Sequence, residues 1–159
     1  MEEAVVSAIT DDTSEAKVTV GGVPDRPGVA AHLFRELANH GINVDMIVQN
    51  TSERGTTDIS FTVAKTDLDA ARTQCLEVQE SIGAAQVTTD DGIGRVSIVG
   101  AGMKSSPGVT ALMFETLSEH GINIEMISTS SIRISCVVRA DRVADAVRYL
   151  HTAFGLDAA

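Results

Sequence analysis

Pro27-Gly28-Val29-Ala30-Ala31 leads through a periodic apolar segment to His40-Gly41-Ile42-Asn43-Val44-Asp45-Met46-Ile47, and eighty positions on the chain repeats itself. Pro107-Gly108-Val109-Thr110-Ala111 leads in the same way to His120-Gly121-Ile122-Asn123-Ile124-Glu125-Met126-Ile127. Between positions 27 and 50 and their counterparts, 12 of 24 residues are identical, and most other pairs swap like for like. A gapless repeat of this length marks a duplicated supersecondary unit, and its period is far too long for a solenoid. Each copy is therefore expected to be a small domain.

The periodicity of one copy says what it encodes. Val29, Leu33, Phe34 and Leu37 fall at helical spacing, and Gly41 stands where a C-terminal cap would stop the helix. Ile42, Val44, Met46 and Val48 alternate with Asn43, Asp45, Ile47 and Gln49, the period of a half-buried strand. Pro27-Gly28 reads as the turn into the helix, with the proline pre-set near helical φ and the glycine allowing close approach. The unit is loop, helix, strand, and the loop ends on the unpaired N–H groups of a helix start.

Read outward from that unit, 17–21, 58–64 and 86–89 are strands and 67–82 is a second helix stepping on Leu68, Ala71, Cys75, Val78 and Ile82. A hairpin-type turn spans 50–56. The order β-α-β-β-α-β is the ferredoxin-like plan. The second copy repeats it from Arg95, with a helix to His120, strands from Ile122 and over 132–139, and a last helix on Val143, Ala146, Val147 and Leu150. No fourth strand follows that helix. The apolar run Ala4–Ile9 is a strand the first copy does not need, and an open sheet edge and an unpaired strand are both liabilities. Pairing them resolves both. The expected architecture is α+β: two ferredoxin-like (βαββαβ) domains, the first (16–92) inserted in the second (1–15 and 93–159).

Composition narrows the function. Twelve basic residues against 22 acidic give a net charge of −10, which argues against nucleic acid because phosphate contacts need clustered Lys and Arg. Aromatic residues at 3% leave little for stacking single-stranded bases. Cys75 and Cys136 each sit inside an apolar pattern, as buried reduced thiols do. No apolar run reaches membrane-spanning length, and Met1-Glu2-Glu3 is unlike a signal peptide, so a cytoplasmic protein away from membranes is expected. Four scattered His make no metal spacing, and His40 and His120 suit helix C-termini. With no phosphate loop, nucleophile–base pair or metal cluster in the sequence, neither a catalytic site nor a cofactor is expected.

Two loop-Pro-Gly-helix units, each followed by Gly-Ile-Asn-hydrophobic-acidic-Met-Ile, resemble ACT domains. Asp12-Thr13-Ser14-Glu15-Ala16-Lys17-Val18-Thr19-Val20, Val48-Gln49-Asn50, Gly100-Ala101-Gly102-Met103-Lys104-Ser105, Ser128-Thr129-Ser130 and Ile132-Arg133-Ile134-Ser135 narrow the likeness. Together they resemble the tandem ACT region of aspartate kinase, over about 4–156. Some members make this region as a separate small subunit, which a chain opening at Met1 here resembles. The resemblance implies a non-catalytic regulatory subunit that binds threonine, with lysine as the family's other effector, and feedback-inhibits a catalytic aspartate kinase subunit. It also implies a homodimer joined through ACT domains, with each effector between the helix-leading loop of one domain and the second strand of another.

Elementary chemistry fits such a site. An α-amino acid needs anion contacts, which the N–H groups of Gly28, Val29 and Ala30 supply, helped by a helix dipole effect of roughly 0.3–1 kcal/mol. Asp25 can neutralise its ammonium, Asn123 and Ile124 offer strand-edge donors and acceptors, and Gln49 can bond a threonine hydroxyl. A pseudo-equivalent second site would use Ser106, Gly108, Val109 and Thr110 with Asn43, Val44 and Ser130. Its loop has no acidic side chain matching Asp25, so the two sites should not bind one ligand equally. Where the family usually reads Ser-Thr-Ser-Glu-Ile, Ser131 replaces the glutamate, which bears on lysine sensing. The competing readings are a turn with no ligand, a ferredoxin-like enzyme, and an ACT subunit of another biosynthetic enzyme such as acetolactate synthase.

Overall fold

The computed structural model describes residues 5–50, 54–102 and 106–156. Three sequence readings, at Ala4, at the 51–53 part of the turn and at Met103-Lys104-Ser105, lie outside them. The chain divides into two compact units. One is Ser14–Asp91, and the other joins the segment ending at Thr13 to the segment beginning at Gly92.

The inserted unit is built from β2 (Glu15–Pro24), α1 (Val29–Asn39), β3 (Ile47–Gln49), β4 (Thr56–Ala64), α2 (Leu68–Ile82) and β5 (Gln86–Asp90), following the chain's first strand β1 (Val5–Asp12). Its antiparallel sheet runs β3-β4-β2-β5. The other unit continues with β6 (Ile93–Ala101), α3 (Pro107–Glu119), β7 (Met126–Thr129), β8 (Arg133–Arg139) and α4 (Val143–Ala153), and its sheet runs β1-β6-β8-β7. β1 takes the place that β5 holds in the inserted unit, pairing from Val5 opposite Ala101 to Asp12 opposite Arg95 with one shift of register between Val6 and Ala8. Both sheets are thus four-stranded and ferredoxin-like.

The helical stripes pack as their spacing requires. Val29, Leu33 and Leu37 of α1 and Ala71, Cys75, Val78 and Ile82 of α2 are buried with Val18, Val20, Ile59 and Phe61 of the sheet. In the other unit Met113, Leu117, Val143, Ala146 and Leu150 close over Val96, Ile98, Ile134 and Cys136, and Val6 and Ile9 of β1 pack against them. A hydroxyl pair recurs across the central strands, Thr19 with Ser60 at 2.9 Å and Ser97 with Ser135 at 2.7 Å. Ile132, read as a strand residue, lies outside β8 and is 58% exposed.

The second strand of each unit is shorter than its alternation implied. Ile42 and Met46 are buried and Val44 and Val48 are half-buried, while Asn43, Asp45, Ile47 and Gln49 are exposed, so the period-two pattern holds. Ladder pairing nevertheless begins only at Ile47. The N–H groups of Asp45 and Met46 both turn to Thr62, one to its carbonyl (3.0 Å) and one to its hydroxyl (3.0 Å), so two residues oppose one. That is the geometry of a bulge, which ends regular pairing and re-aims the chain. Glu125 does the same in the other unit, donating to Val137 O at 2.8 Å just before β7 begins.

Burial pushes the Cys75 thiol up to about 11 and the Cys136 thiol up to about 12. The folded chain therefore keeps these protons at pH values where the unfolded chain, titrating near 9.0, has lost them. Their contribution is full below pH 9.0 and is lost as pH rises through 11 and 12. We expect the urea midpoint to fall above pH 9.0, and to fall less steeply in Cys136→Ala than in the parent. An equally steep fall in the variant would exclude the thiol as a source.

Candidate functional site

The loop before α1 is shaped by backbone bonds. Asp25 N–H donates to Gly55 O at 2.9 Å and Arg26 N–H to Pro24 O at 3.0 Å, so the turn is tied to the far side of the β3–β4 connection. Gly28 caps the helix with φ 92°, the left-handed region that favours glycine, and a Cβ there would meet nothing within 4 Å. The sequence reading gave glycine the task of close approach. The structure gives it a conformational one: it turns the chain so that α1 begins at Val29. Among the described residues no acceptor takes the N–H groups of Gly28, Val29 or Ala30, and no side chain caps the helix. Asp25 is exposed, two residues before the proline. At the same end of the β2–β4 ladder, Thr57 is 3% exposed and its Oγ1 has no hydrogen-bond partner. Sequence reasoning missed this hydroxyl, because Thr57 sits in the alternation as any inward-facing strand residue would.

The repeat departs from itself at the corresponding place. α3 begins two residues earlier, at Pro107, and Gly108 lies inside the helix without a positive φ. Val109 N–H is already used by Ser106 O at 3.1 Å, and Pro107 has no N–H to give. Of the N–H groups that match those of Gly28, Val29 and Ala30, Val109's is thus taken, so Gly108, Val109 and Thr110 offer one open donor fewer.

Each first helix ends in a Schellman turn. Gly41 (φ 70°) and Gly121 (φ 68°) let Ile42 N–H reach Leu37 O at 3.0 Å and Ile122 N–H reach Leu117 O at 2.9 Å. Two residues follow whose backbone N–H groups find no acceptor among the described residues: Asn43 and Val44 in one unit, Asn123 and Ile124 in the other. Asn123 and Ile124 line a groove of about 390 Å³ with Phe114, Ser118, Gly121 and Ile122. Gln49 lies on the exposed face of β3 opposite Ile59. Ser130 is exposed in the turn before β8, its N–H donating to Arg133 O at 2.8 Å.

The segment around Asn123 is held by two arginines. Arg139 makes a two-pronged bond to Glu125, Nε to Oε2 at 2.8 Å and Nη2 to Oε1 at 2.9 Å. Arg142 donates to His120 O at 2.8 Å and to Gly121 O at 3.4 Å. His120 stacks on Tyr149 with ring centres 3.5 Å apart, and its Nδ1 lies 3.0 Å from Thr116 O. His40 likewise lies 2.9 Å from Glu36 O, so both histidines serve helix ends. Among the described residues no group of His, Cys, Asp or Glu could hold a metal ion. No helix is long and apolar enough to cross a membrane.

Both units are ferredoxin-like, and each follows its first helix with two backbone amides that find no acceptor among the described residues. Residues 18–77 and 96–154 both match the ACT domain family, and the chain belongs to it. Within that family it is similar to the aspartokinase of Mycolicibacterium smegmatis, 50% identical over 158 residues, which are 98% of this chain and 38% of that protein. The chain thus spans little more than a third of the curated relatives it matches. It is also similar to a chain in a crystal structure of aspartokinase alpha and beta subunits (47% identity, TM-score 0.91), covering 96% of this chain and all of that one. The regulatory subunit of aspartate kinase from Thermus thermophilus, in its ligand-free form, aligns at 39% identity and TM-score 0.89 over 94% of this chain and 99% of its own. What this chain represents is the regulatory ACT region of an aspartate kinase.

Proposed function

We propose that this chain is an amino-acid-sensing regulatory subunit that binds threonine at ACT–ACT interfaces and feedback-inhibits a catalytic aspartate kinase subunit. The observation that carries the reading is the row of unpaired N–H groups at Gly28, Val29 and Ala30, opened by the left-handed turn at Gly28. A carboxylate placed there gains charge-assisted bonds and the helix dipole. Asp25, exposed beside it, neutralises the ammonium, and the open amides of Asn123 and Ile124 serve as the opposing strand edge. Gln49 takes the side-chain hydroxyl, which a valine lacks. The site at Ser106, Gly108, Val109 and Thr110 with Asn43, Val44 and Ser130 is the weaker of the two, because its helix start has fewer open donors and no acidic neighbour.

Lysine is the second effector to test, with Ser131 standing where relatives carry a glutamate. The protein works in the cytoplasm as a homodimer through its ACT domains. Ile47 (54% exposed) and Ile127 (43% exposed) on the edge strands β3 and β7 support a partnered surface. Coupling of about 1–3 kcal/mol between effector and kinase suffices for feedback control.

Titration calorimetry against threonine, lysine, valine and aspartate tests this. Threonine binding is expected, weakened by about 1.5–3 kcal/mol in Asp25→Ala. A response to valine alone would move the assignment to the regulatory subunit of another enzyme, such as acetolactate synthase.

A further inference from the structure

We infer that Arg139 and Arg142 are positioning residues that hold the Ile122–Glu125 segment ready for ligand. The inference rests on the proposed sensing role for its ligand, but its structural half stands within one unit.

The segment is short and its middle is unsupported. Ile122 N–H is fixed to Leu117 O and Glu125 N–H to Val137 O, while Asn123 and Ile124 between them have no backbone donor bond. Open amides of this kind bind well only if they are already aimed, since ordering them on binding costs affinity. The two arginines act at the two ends. Arg142 reaches the carbonyls just past α3, at the C-cap His120 and at Gly121. Arg139 grips Glu125 with a planar two-bond fork, which fixes direction as well as distance. The carboxylate of Glu125 is mostly shielded, its side chain 17% exposed, so the pair is less screened than an ordinary surface contact.

The repeat supplies an internal control. Cys136 pairs with Ile127 as Phe61 pairs with Ile47, which puts Ala64 where Arg139 stands. The same count puts Asp67 where Arg142 stands, each closing the 3-10 turn before the unit's second helix. Neither Ala64 nor Asp67 can donate these bonds. In the Asn43–Val44 segment the Thr62 hydroxyl accepts from Met46 N–H. The two strand edges are thus alike in sequence, and only the one at Asn123–Ile124 has arginines at these two positions.

The test uses the full chain carrying Arg139→Met, Arg142→Met, or the exchanged pair Arg139→Glu with Glu125→Arg. Amide exchange without ligand is followed at Ile122 and Glu125, and threonine affinity by calorimetry. Each single variant should speed exchange at these two amides and weaken threonine binding by about tenfold. Exchange at Leu33 and Phe61 should stay unchanged, and the swapped pair should restore both readouts. Unchanged exchange at Ile122 and Glu125 overturns the inference, as does unchanged threonine affinity in both single variants. If the parent binds no threonine while exchange still rises in the variants, the sensing role fails and the bracing of this segment stands.

Discussion

Removing residues 1–10 is expected to unfold the unit built on Val96, Leu117 and Leu150 while the inserted unit keeps its cooperative transition. β1 is the outer neighbour of β6, and Val6 and Ile9 pack against that unit's core. Without it, β6 loses its partners from Ser97 to Ala101 and becomes an exposed edge. Several ladder bonds at about 0.5–1.5 kcal/mol each, with two partly buried side chains, sum to about 5 kcal/mol. That is comparable with the whole stability of a small domain. Hydrogen exchange reads the outcome directly. Protection should collapse over Ile93–Ala101 and Arg133–Arg139 and persist over Glu15–Pro24 and Thr56–Ala64. The opposite pattern would mean that the N-terminal strand belongs to the inserted unit after all.

Phe61→Ala should strike the other unit by about 3–5 kcal/mol. Phe61 is fully buried at the centre of β4, and its ring meets Phe34 of α1 edge to face with centres 5.4 Å apart. Truncation leaves a cavity and strips Phe34 of its ring partner, a further loss of about 0.5–1.5 kcal/mol at most. The urea transition of the inserted unit should move to lower concentration with little change of slope. The other unit's protection should not change. A loss under about 1 kcal/mol would show that the surrounding side chains collapse into the space, a freedom that close packing of this core does not lead us to expect.

Much of this architecture was legible because the chain states it twice. The Val29, Leu33, Leu37 stripe and the alternation from Ile42 to Val48 each point to one element, and the repeat removes the ambiguity that a single short segment would carry. The vacant fourth-strand position in the second copy, set beside the surplus strand at the N-terminus, was enough to place β1. Other features depend on geometry that spacing does not carry. The bulge at Asp45 and Met46 leaves the alternation intact while ending the ladder, so period alone overstates the strand. Gly28 and Gly108 match in sequence, yet only Gly28 has a left-handed φ, so the two loops had to be seen to be told apart. Apart from the Thr57 hydroxyl, the candidate residues were read from sequence, whereas their bracing was not. Glu125 and Arg139 are 14 residues apart, and neither Ala64 nor Asp67 in the other copy hints at the arginines.

The placement of β1 also has a temporal side. Arg95 and Asp12, which bond at 3.4 Å, stand 83 residues apart in the chain. Translation at about 5–20 residues per second leaves the early strand without its mate for several seconds. The inserted unit is complete at Asp91, just before β6 is made, so it can close first, and only afterwards does the later sheet gain its outer rail. Synthesis therefore imposes an order in which the middle of the polypeptide matures before the two flanks that embrace it.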